Sequence, residues 1–437
     1  MTLQLYTLLL RLLLPLVLLR LYWRSLKAPT YRQRMRERLA LEQPPAPPAA
    51  VWVHAVSVGE VQAAQSLIKH LLSRNPPLEI LVTTTTPTGA ARVRELFGAA
   101  VTHRYTPYDL PEVIARFLDR VNPRLLIVME TEIWPNTLAA CAARGIPTVL
   151  ANARLSARSA RGYARLARLT RETLERFTLI AAQTEADAQR FRDLGAAAQR
   201  VVVTGSIKFD LRLSASLQDQ SEAMRRSWGG GAADRPVWVA ASTHEGEEEL
   251  MLAAHRQIRT RVPTALLVLV PRHPERFERV AGLIQRADFA LTRRSARVPC
   301  PPETAVFLGD SMGELQIFLA AADAAFIGGS LVPTGGHNPL EAAAVGVPVA
   351  MGPAVFNFAA ITELLVAEGA AVQVTNAPSL AAVMIDWLTD ASLRAHIGEH
   401  GRRVVEANRG ALQRLIALIE GRLSAAPDRG GERDDRT

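Results

Sequence analysis

At 437 residues, 49% hydrophobic and 21% charged, the chain has the composition of a soluble, core-forming protein and the length of two to three domains. Two cysteines, Cys141 and Cys300, exclude a disulfide framework and read as buried, inert thiols in a reducing compartment. The formal charge of +9 is local, since residues 1–38 hold eight basic side chains against the single acid Glu37; this favours anionic lipid over a nucleic-acid groove as its partner.

Leu3 to Trp23 is dominated by leucine and ends in Tyr22 and Trp23, residues that favour a membrane–water interface. A span needs roughly 20 apolar residues, and Gln4, Thr7, Arg11 and Pro15 interrupt this run. Gln4, Thr7 and Arg11 share one helical face. Crossing the bilayer with Arg11 snorkelling and lying in its surface as an amphipathic anchor both fit. No charge precedes the run and no A-x-A site follows it, which argues against a cleaved signal peptide. The basic cluster after the run places the remaining chain on the cytoplasmic side.

After the Pro-rich stretch Pro44–Pro48, short β-branched runs alternate with amphipathic runs of helical length. Strands are expected at Val51–Val56, Glu79–Thr83, Arg124–Met129, Pro147–Ala151, Thr178–Ala182 and Val201–Thr204. Leu211 to Asp234, rich in Ser, Gln and Gly, reads as a linker. The rhythm restarts with Val237–Ala241, Ala265–Val270, Ala305–Leu308, Ala324–Gly328, Val347–Met351 and Ala371–Val374. Continuous apolar strands between helices imply parallel sheets covered on both faces. The expected architecture is two α/β Rossmann-like domains facing across a cleft, with ligands beyond the carboxyl ends of the strands.

That rule selects the loops to read for chemistry. Val51–Val56 runs into Ser57-Val58-Gly59-Glu60, where Gly59 suits a tight turn and Glu60 falls in the first turn of a helix. An acid there complements the helix dipole, and a carboxylate at such a strand end is also where a general base belongs. Arg124–Met129 ends in Glu130-Thr131-Glu132, whose two acids point to opposite sides if extended and so should not share one role. No histidine or D-x-D pair accompanies them, so no metal site is expected. Lys208, after Val201–Thr204, is either a solvated loop lysine or a cation aimed at a donor carboxylate or phosphate.

In the second half, Arg272-His273, Met312-Gly313-Glu314, Gly329-Ser330 and Gly336-His337-Asn338-Pro339-Leu340-Glu341 all follow strands. Glycines before a helix can turn backbone N–H groups toward a phosphate, and Glu341 can accept two ribose hydroxyls. Three such loops point to a nucleotide. His273 and His337 read as phosphate or base contacts or as local loop caps, and His244 as site-lining without an assigned role.

The runs His54–Glu60, Met129–Asn136, Ala151–Ser156, Gly205–Asp210, Pro271–Pro274 and Gly335–Glu341 resemble, in order, the Kdo (3-deoxy-D-manno-oct-2-ulosonic acid) transferases of Gram-negative bacteria. The resemblance implies a GT-B fold and an inverting, metal-independent glycosyltransferase without a cofactor. It would move Kdo from CMP-Kdo to the lipid A precursor (lipid IVA) in lipopolysaccharide core biosynthesis, at the cytoplasmic side of the inner membrane. It implies Glu60 as the base, with Glu130 and Lys208 stabilising the transition state. Arg272, His273, Met312, Gly313, Glu314, Asn338, Pro339, Leu340 and Glu341 would hold CMP. Ser57, Gly59, His244, Gly329, Ser330, Gly336 and His337 would line the sites. The implied division is an anchor and basic collar at 1–27, an acceptor domain at 28–211, a linker at 212–234, a CMP-sugar domain at 235–424 and a disordered tail at 425–437. Its partners would be CMP-Kdo, the lipid A precursor and inner-membrane lipids, with no nucleic acid and no evident protein partner. Removing residues 1–24 is expected mainly to weaken membrane association. The competing readings are another GT-B transferase or an epimerase using a UDP-sugar, and an inert membrane-surface scaffold that binds nucleotide.

Overall fold

Runs such as Val51-Trp52-Val53-His54 and Leu125 to Met129 are buried at every position, as strands covered on both faces must be. The computed structural model describes residues 1–27, 29–41, 50–211, 213–229 and 235–425. The chain divides into two units, Met1–Asp210 with Arg409–Thr437, and Leu211–Asn408. The Pro44–Pro48 stretch and the tail beyond residue 425 lie outside the described residues.

The first unit contains β1 (Val51–His54), β2 (Ile80–Thr84), β3 (Thr102–Tyr105), β4 (Leu125–Met129), β5 (Thr148–Ala153), β6 (Leu179–Ala182) and β7 (Val201–Val203). They form one parallel sheet in the order β3-β2-β1-β4-β5-β6-β7. The order reverses between β1 and β4, so the loops after these two strands diverge and leave a crevice.

The second unit contains β8 (Val237–Thr243), β9 (Leu266–Pro271), β10 (Leu291–Arg293), β11 (Val306–Leu308), β12 (Ala324–Ile327), β13 (Val349–Met351) and β14 (Ala371–Gln373). Its parallel order is β10-β11-β9-β8-β12-β13-β14, reversing between β8 and β12. Both expected Rossmann-like sheets are therefore present. Each has a register shift, at Leu150/Ala153 and at Ala241/Thr243, with Asn152 and Ser242 at positive φ. Such bulges redirect the chain at a strand end.

Two segments depart from the expected division. The linker holds a helix, Leu217–Trp228, whose buried Leu217, Ser221, Met224 and Trp228 recur at helical spacing. Trp228 is fully buried against Phe307 and Phe318, so this stretch is packed core despite its polar composition. The last helix, Ala411–Ala425, belongs to the first unit rather than the second. Its Leu412, Leu415, Ile419 and Leu423 join the core of the first sheet. Asp210 fixes the return by accepting from Gly410 N at 2.7 Å and Leu412 N at 2.6 Å. Cys141 and Cys300 are both buried.

Candidate functional site

Beyond β1, Ser57 caps the helix Val58–Leu72, its hydroxyl accepting from Glu60 N at 3.4 Å. Glu60 answers with both carboxylate oxygens: Oε2 accepts from Val56 N at 2.7 Å, and Oε1 from the Ser57 hydroxyl at 3.2 Å. The capping and catalytic readings of this acid are thus compatible, because the cap bonds hold its carboxylate in one place. Burial pushes the Glu60 carboxyl up to about 8, opposed by the Val56 bond and reinforced by the negative charges of Glu132 and Glu130. A carboxylate tuned to that range can take a proton from a hydroxyl near neutral pH. Gly59 is not at positive φ, and a Cβ there would meet nothing nearer than Ser57 Oγ at 3.8 Å. The turn therefore does not require glycine.

Glu130 follows β4 at φ 56° and donates its N–H to Ala151 O at 2.9 Å. A non-glycine residue in this region is strained, and such strain gathers where a side chain must be aimed. The left-handed turn overturns the extended geometry assumed for Glu130-Thr131-Glu132, and both acids raise Glu60. Lys208 Nζ lies 3.1 Å from Glu130 Oε1, with both side chains largely buried. Its turn, Ile207–Phe209, is held by Asn152, whose Oδ1 accepts from Ile207 N at 3.2 Å. Glu132 accepts from Trp134 Nε1 at 3.0 Å and is raised chiefly by burial. It borders a small pocket lined also by Trp52, His54, Thr106, Trp134 and Leu138. Burial pushes His54 down to about 4, so its ring is neutral there.

The charge coupling has a measurable consequence. A reaction that uses Glu60 as base needs it ionised, so its rate should rise with pH through an inflection near 8 and then level. Glu132→Gln removes one of the charges that raise Glu60, and the inflection should move to lower pH. An inflection that stays in place would contradict the coupling.

In the second unit, Arg272 follows β9 and donates its N–H to Thr243 O at 3.0 Å. His244 Nε2 and His337 Nε2 stand 2.8 Å apart with their rings stacked at 7°, and His273 meets His244 edge-on at 5.3 Å. Burial, then His244 and Arg272, pushes His337 down to about 3, and burial also lowers His244. Two neutral rings sharing a hydrogen bond require one Nε2–H and one bare Nε2. Glu341 is raised by burial and lowered by Asn338, which donates to it at 3.4 Å, and by Arg272. Arg272 therefore acts on the histidine pair and on Glu341 together.

Two of the three glycine loops do not offer their amides as the sequence reading expected. Gly329 N, Ser330 N and Leu331 N all donate to the buried Glu247 carboxylate, at 2.7, 3.0 and 2.9 Å. Gly336 N and His337 N donate to Gly329 O and Gly328 O. These amides are satisfied within the protein rather than turned toward a phosphate. Pro339 and Leu340 are buried. Gly335 does need to be glycine: at φ 100°, a Cβ would come within 2.4 Å of Phe356 and Asn357. Met312 is 61% exposed, and Gly313 takes φ 83° with open space around it. Glu314 is gripped by Arg294 at 2.6 and 2.9 Å, which holds its carboxyl below the usual range.

Three groups that bear on these sites were not assigned as site residues: Glu132, Asn152 and Glu247. The first two stood inside motifs already noted in the sequence. Glu247 carried only the signal of an acid at a helix start.

Residues 33–211 match the family model described as 3-deoxy-D-manno-octulosonic-acid transferase (kdotransferase), and residues 234–404 match that of glycosyl transferases group 1. A 3-deoxy-D-manno-octulosonic acid transferase of Haemophilus influenzae is 44% identical over 418 residues, covering 95% of this chain and 97% of the relative. The protein of the same name from Bordetella pertussis is 40% identical over 428 residues, covering 95% and 98%. Among solved structures, UDP-GlcNAc 2-epimerase from Neisseria meningitidis aligns with a TM-score of 0.53 at 15% identity, covering 86% of this chain and 99% of that one. That likeness is one of fold alone.

Proposed function

The chain belongs to the 3-deoxy-D-manno-octulosonic acid transferase family, and from that premise we propose how its two sites divide the reaction. The protein is a glycosyltransferase that moves Kdo in lipopolysaccharide core synthesis. In our reading the donor is CMP-Kdo, held by the second unit through Arg272, His273, the His244–His337 pair and Glu341. The acceptor is a hydroxyl of the lipid A precursor, activated on the first unit. Glu60 takes the hydroxyl proton, the acceptor oxygen forms a bond to the anomeric carbon from the face opposite CMP, and the bond from that carbon to the phosphate oxygen breaks. CMP leaves with the electron pair, the proton rests on Glu60, and the anomeric configuration inverts. Lys208, steadied by Glu130, offsets the negative charge that gathers on the Kdo carboxylate and the departing phosphate, a role filled by a divalent ion in other transferases. The observation that carries this reading is Glu60, buried, held at both oxygens and raised to about 8.

The N-terminal helix supports work at a membrane. Leu3–Leu26 is long and apolar enough to cross one. Leu8, Leu12, Leu16, Leu19, Trp23 and Leu26 are each more than half exposed. The opposite face is seated on the first unit, with Leu10 and Leu14 packed on its core. From Pro15 to Lys27 about 13 residues remain, roughly 20 Å of helix against a hydrocarbon core of roughly 30 Å. This favours a helix lying in the cytoplasmic face of the inner membrane over one that crosses it. Not every basic side chain of the collar faces lipid. Arg38 is buried and donates to Thr85 O, and Arg34 bonds Glu37 and His103 O. Among the described side chains, Arg20, Arg24, Arg32 and Arg36 are exposed, as is Arg11 within the apolar run.

The test is donor discrimination with and without EDTA. Release of CMP from CMP-Kdo should require the lipid acceptor and proceed as fast with EDTA as without it, and UDP-sugars should not be consumed. Consumption of a UDP-sugar, or loss of the rate in EDTA, would overturn the donor or the metal-free part of the reading respectively.

A further inference from the structure

Tyr6 and Thr7 join the N-terminal helix to one buried cluster of the first unit. The Tyr6 hydroxyl donates to Asp109 Oδ2 at 3.0 Å, and the Thr7 hydroxyl shares its one proton between Leu3 O at 2.9 Å and Asn136 Oδ1 at 3.0 Å. Asp109, 4% exposed, also accepts from Asn136 N at 3.0 Å, Thr137 N at 2.7 Å and the Thr137 hydroxyl at 2.6 Å. Its carbonyl accepts from Asn136 Nδ2 at 2.7 Å. Asn136 and Thr137 open the helix Pro135–Ala143, whose N-cap Trp134 makes no side-chain cap bond. A carboxylate from a distant loop therefore does the capping, which satisfies two orphan amides and complements the helix dipole.

That helix start also ends the loop carrying Glu130 and Glu132. Trp134 reaches back to Glu132, and Thr131 donates to Arg154 O, so the loop is pinned at its middle and at its far end. A membrane leash needs no buried hydrogen bonds to the domain it tethers. Here two side chains of the helix complete a hydrogen-bonded cap one turn from the acidic loop. Without Tyr6, Asp109 loses one of its donors. Without Thr7, the buried Asn136 side-chain oxygen loses its donor, and unsatisfied buried groups are costly.

We propose that the N-terminal helix is a positioning element of the acceptor-side catalytic loop, with Asp109 as the junction, and not a separable anchor. The proposal rests on the reading of Glu60, Glu130 and Lys208 as the catalytic set. It revises the expectation that residues 1–24 serve mainly to hold the membrane. Small displacements of a catalytic loop are expensive, with a shift of about 1 Å able to cost about 10²-fold in rate.

The experiment uses the full-length chain carrying Tyr6→Phe with Thr7→Val, which removes both donors while leaving the exposed leucine face intact. Activity is measured on a water-soluble, deacylated acceptor, so that membrane recruitment plays no part. The expected result is a fall in kcat of about tenfold with KM for CMP-Kdo and binding to anionic vesicles unchanged. The amides of Asn136 and Thr137 should lose hydrogen-exchange protection while those of β1 and β4 keep theirs. Thr7→Ser alone, which keeps the hydroxyl, should behave as the parent. An unchanged kcat, or a loss confined to vesicle binding, would overturn the proposal, and so would retained protection at Asn136 and Thr137. The exchange readout does not depend on activity, so the junction can be disproved even if the parent transfers no Kdo, a result that would instead sink the functional reading.

Discussion

Glu60→Gln is expected to reduce transfer from CMP-Kdo by at least about 10²-fold, the usual scale for losing a general base, while leaving CMP binding to the second unit intact. The amide keeps the size and one acceptor of the carboxylate, so the Val56 bond can survive, but it cannot take a proton from the acceptor. Loss of fold is separated from loss of chemistry by a stability measurement. The Glu60 carboxyl rises from an ordinary 4.5 to about 8 on folding. The folded state therefore favours the protonated form, and stability falls as pH climbs between those values because the unfolded chain ionises first. Glutamine escapes that loss. The variant should melt above the parent at pH 9 and lose this margin at pH 4, the reverse of a damaged fold. Near-normal transfer by Glu60→Gln would remove it from the mechanism.

Lys208→Met should cost a comparable amount, about 10²-fold in kcat, the scale on which loss of one preorganised charge-stabilising group is felt. The change removes a cation and also takes from Glu130 its partner at 3.1 Å. These two effects are separable by adding Glu130→Gln. If the lysine only neutralises Glu130, the double variant recovers most of the rate, because no uncompensated carboxylate remains. If the lysine acts on the reacting charge, the double variant stays as slow as Lys208→Met. The second outcome is expected, and recovery would reduce Lys208 to a structural partner.

Much of this was legible in the sequence, for physical reasons that also explain what was not. Most of the strands that were read are buried at every position and carry an apolar run, whereas β7 and β14 are exposed at two positions each. The two that were missed, β3 and β10, stand at the ends of their sheets. Their sequences, Thr-His-Arg-Tyr and Leu-Thr-Arg, carry the polar residues an edge tolerates and so give no apolar signal. Glu60 was visible through its place after β1 and through the Ser57-x-x-Glu60 spacing of a helix start. Its raised pKa was not visible, because it comes first from burial and then from the charges of Glu132 and Glu130, which arrive from β4 across the switch point. Glu130 was itself misjudged, since no residue-level pattern announces a left-handed glutamate.

The glycine loops show the opposite failure. Their composition implied free amides for a phosphate, yet Glu247, more than 80 residues earlier, occupies three of them. The last helix and the Tyr6–Asp109 junction were hidden for the same reason. Each joins segments separated by about a hundred residues or more, and periodicity within a window carries nothing about such pairs. Motif order, by contrast, survives any distance, and it was the motif order that led to the family.

The most direct test of the central claim is the mass and linkage of the product formed from CMP-Kdo and the lipid A precursor by the full-length protein. The account predicts a lipid carrying added Kdo, joined through a lipid hydroxyl with inverted anomeric configuration, and no such product from the Glu60→Gln variant. Release of free Kdo without a lipid product, or a lipid bearing a sugar of retained configuration, would contradict it.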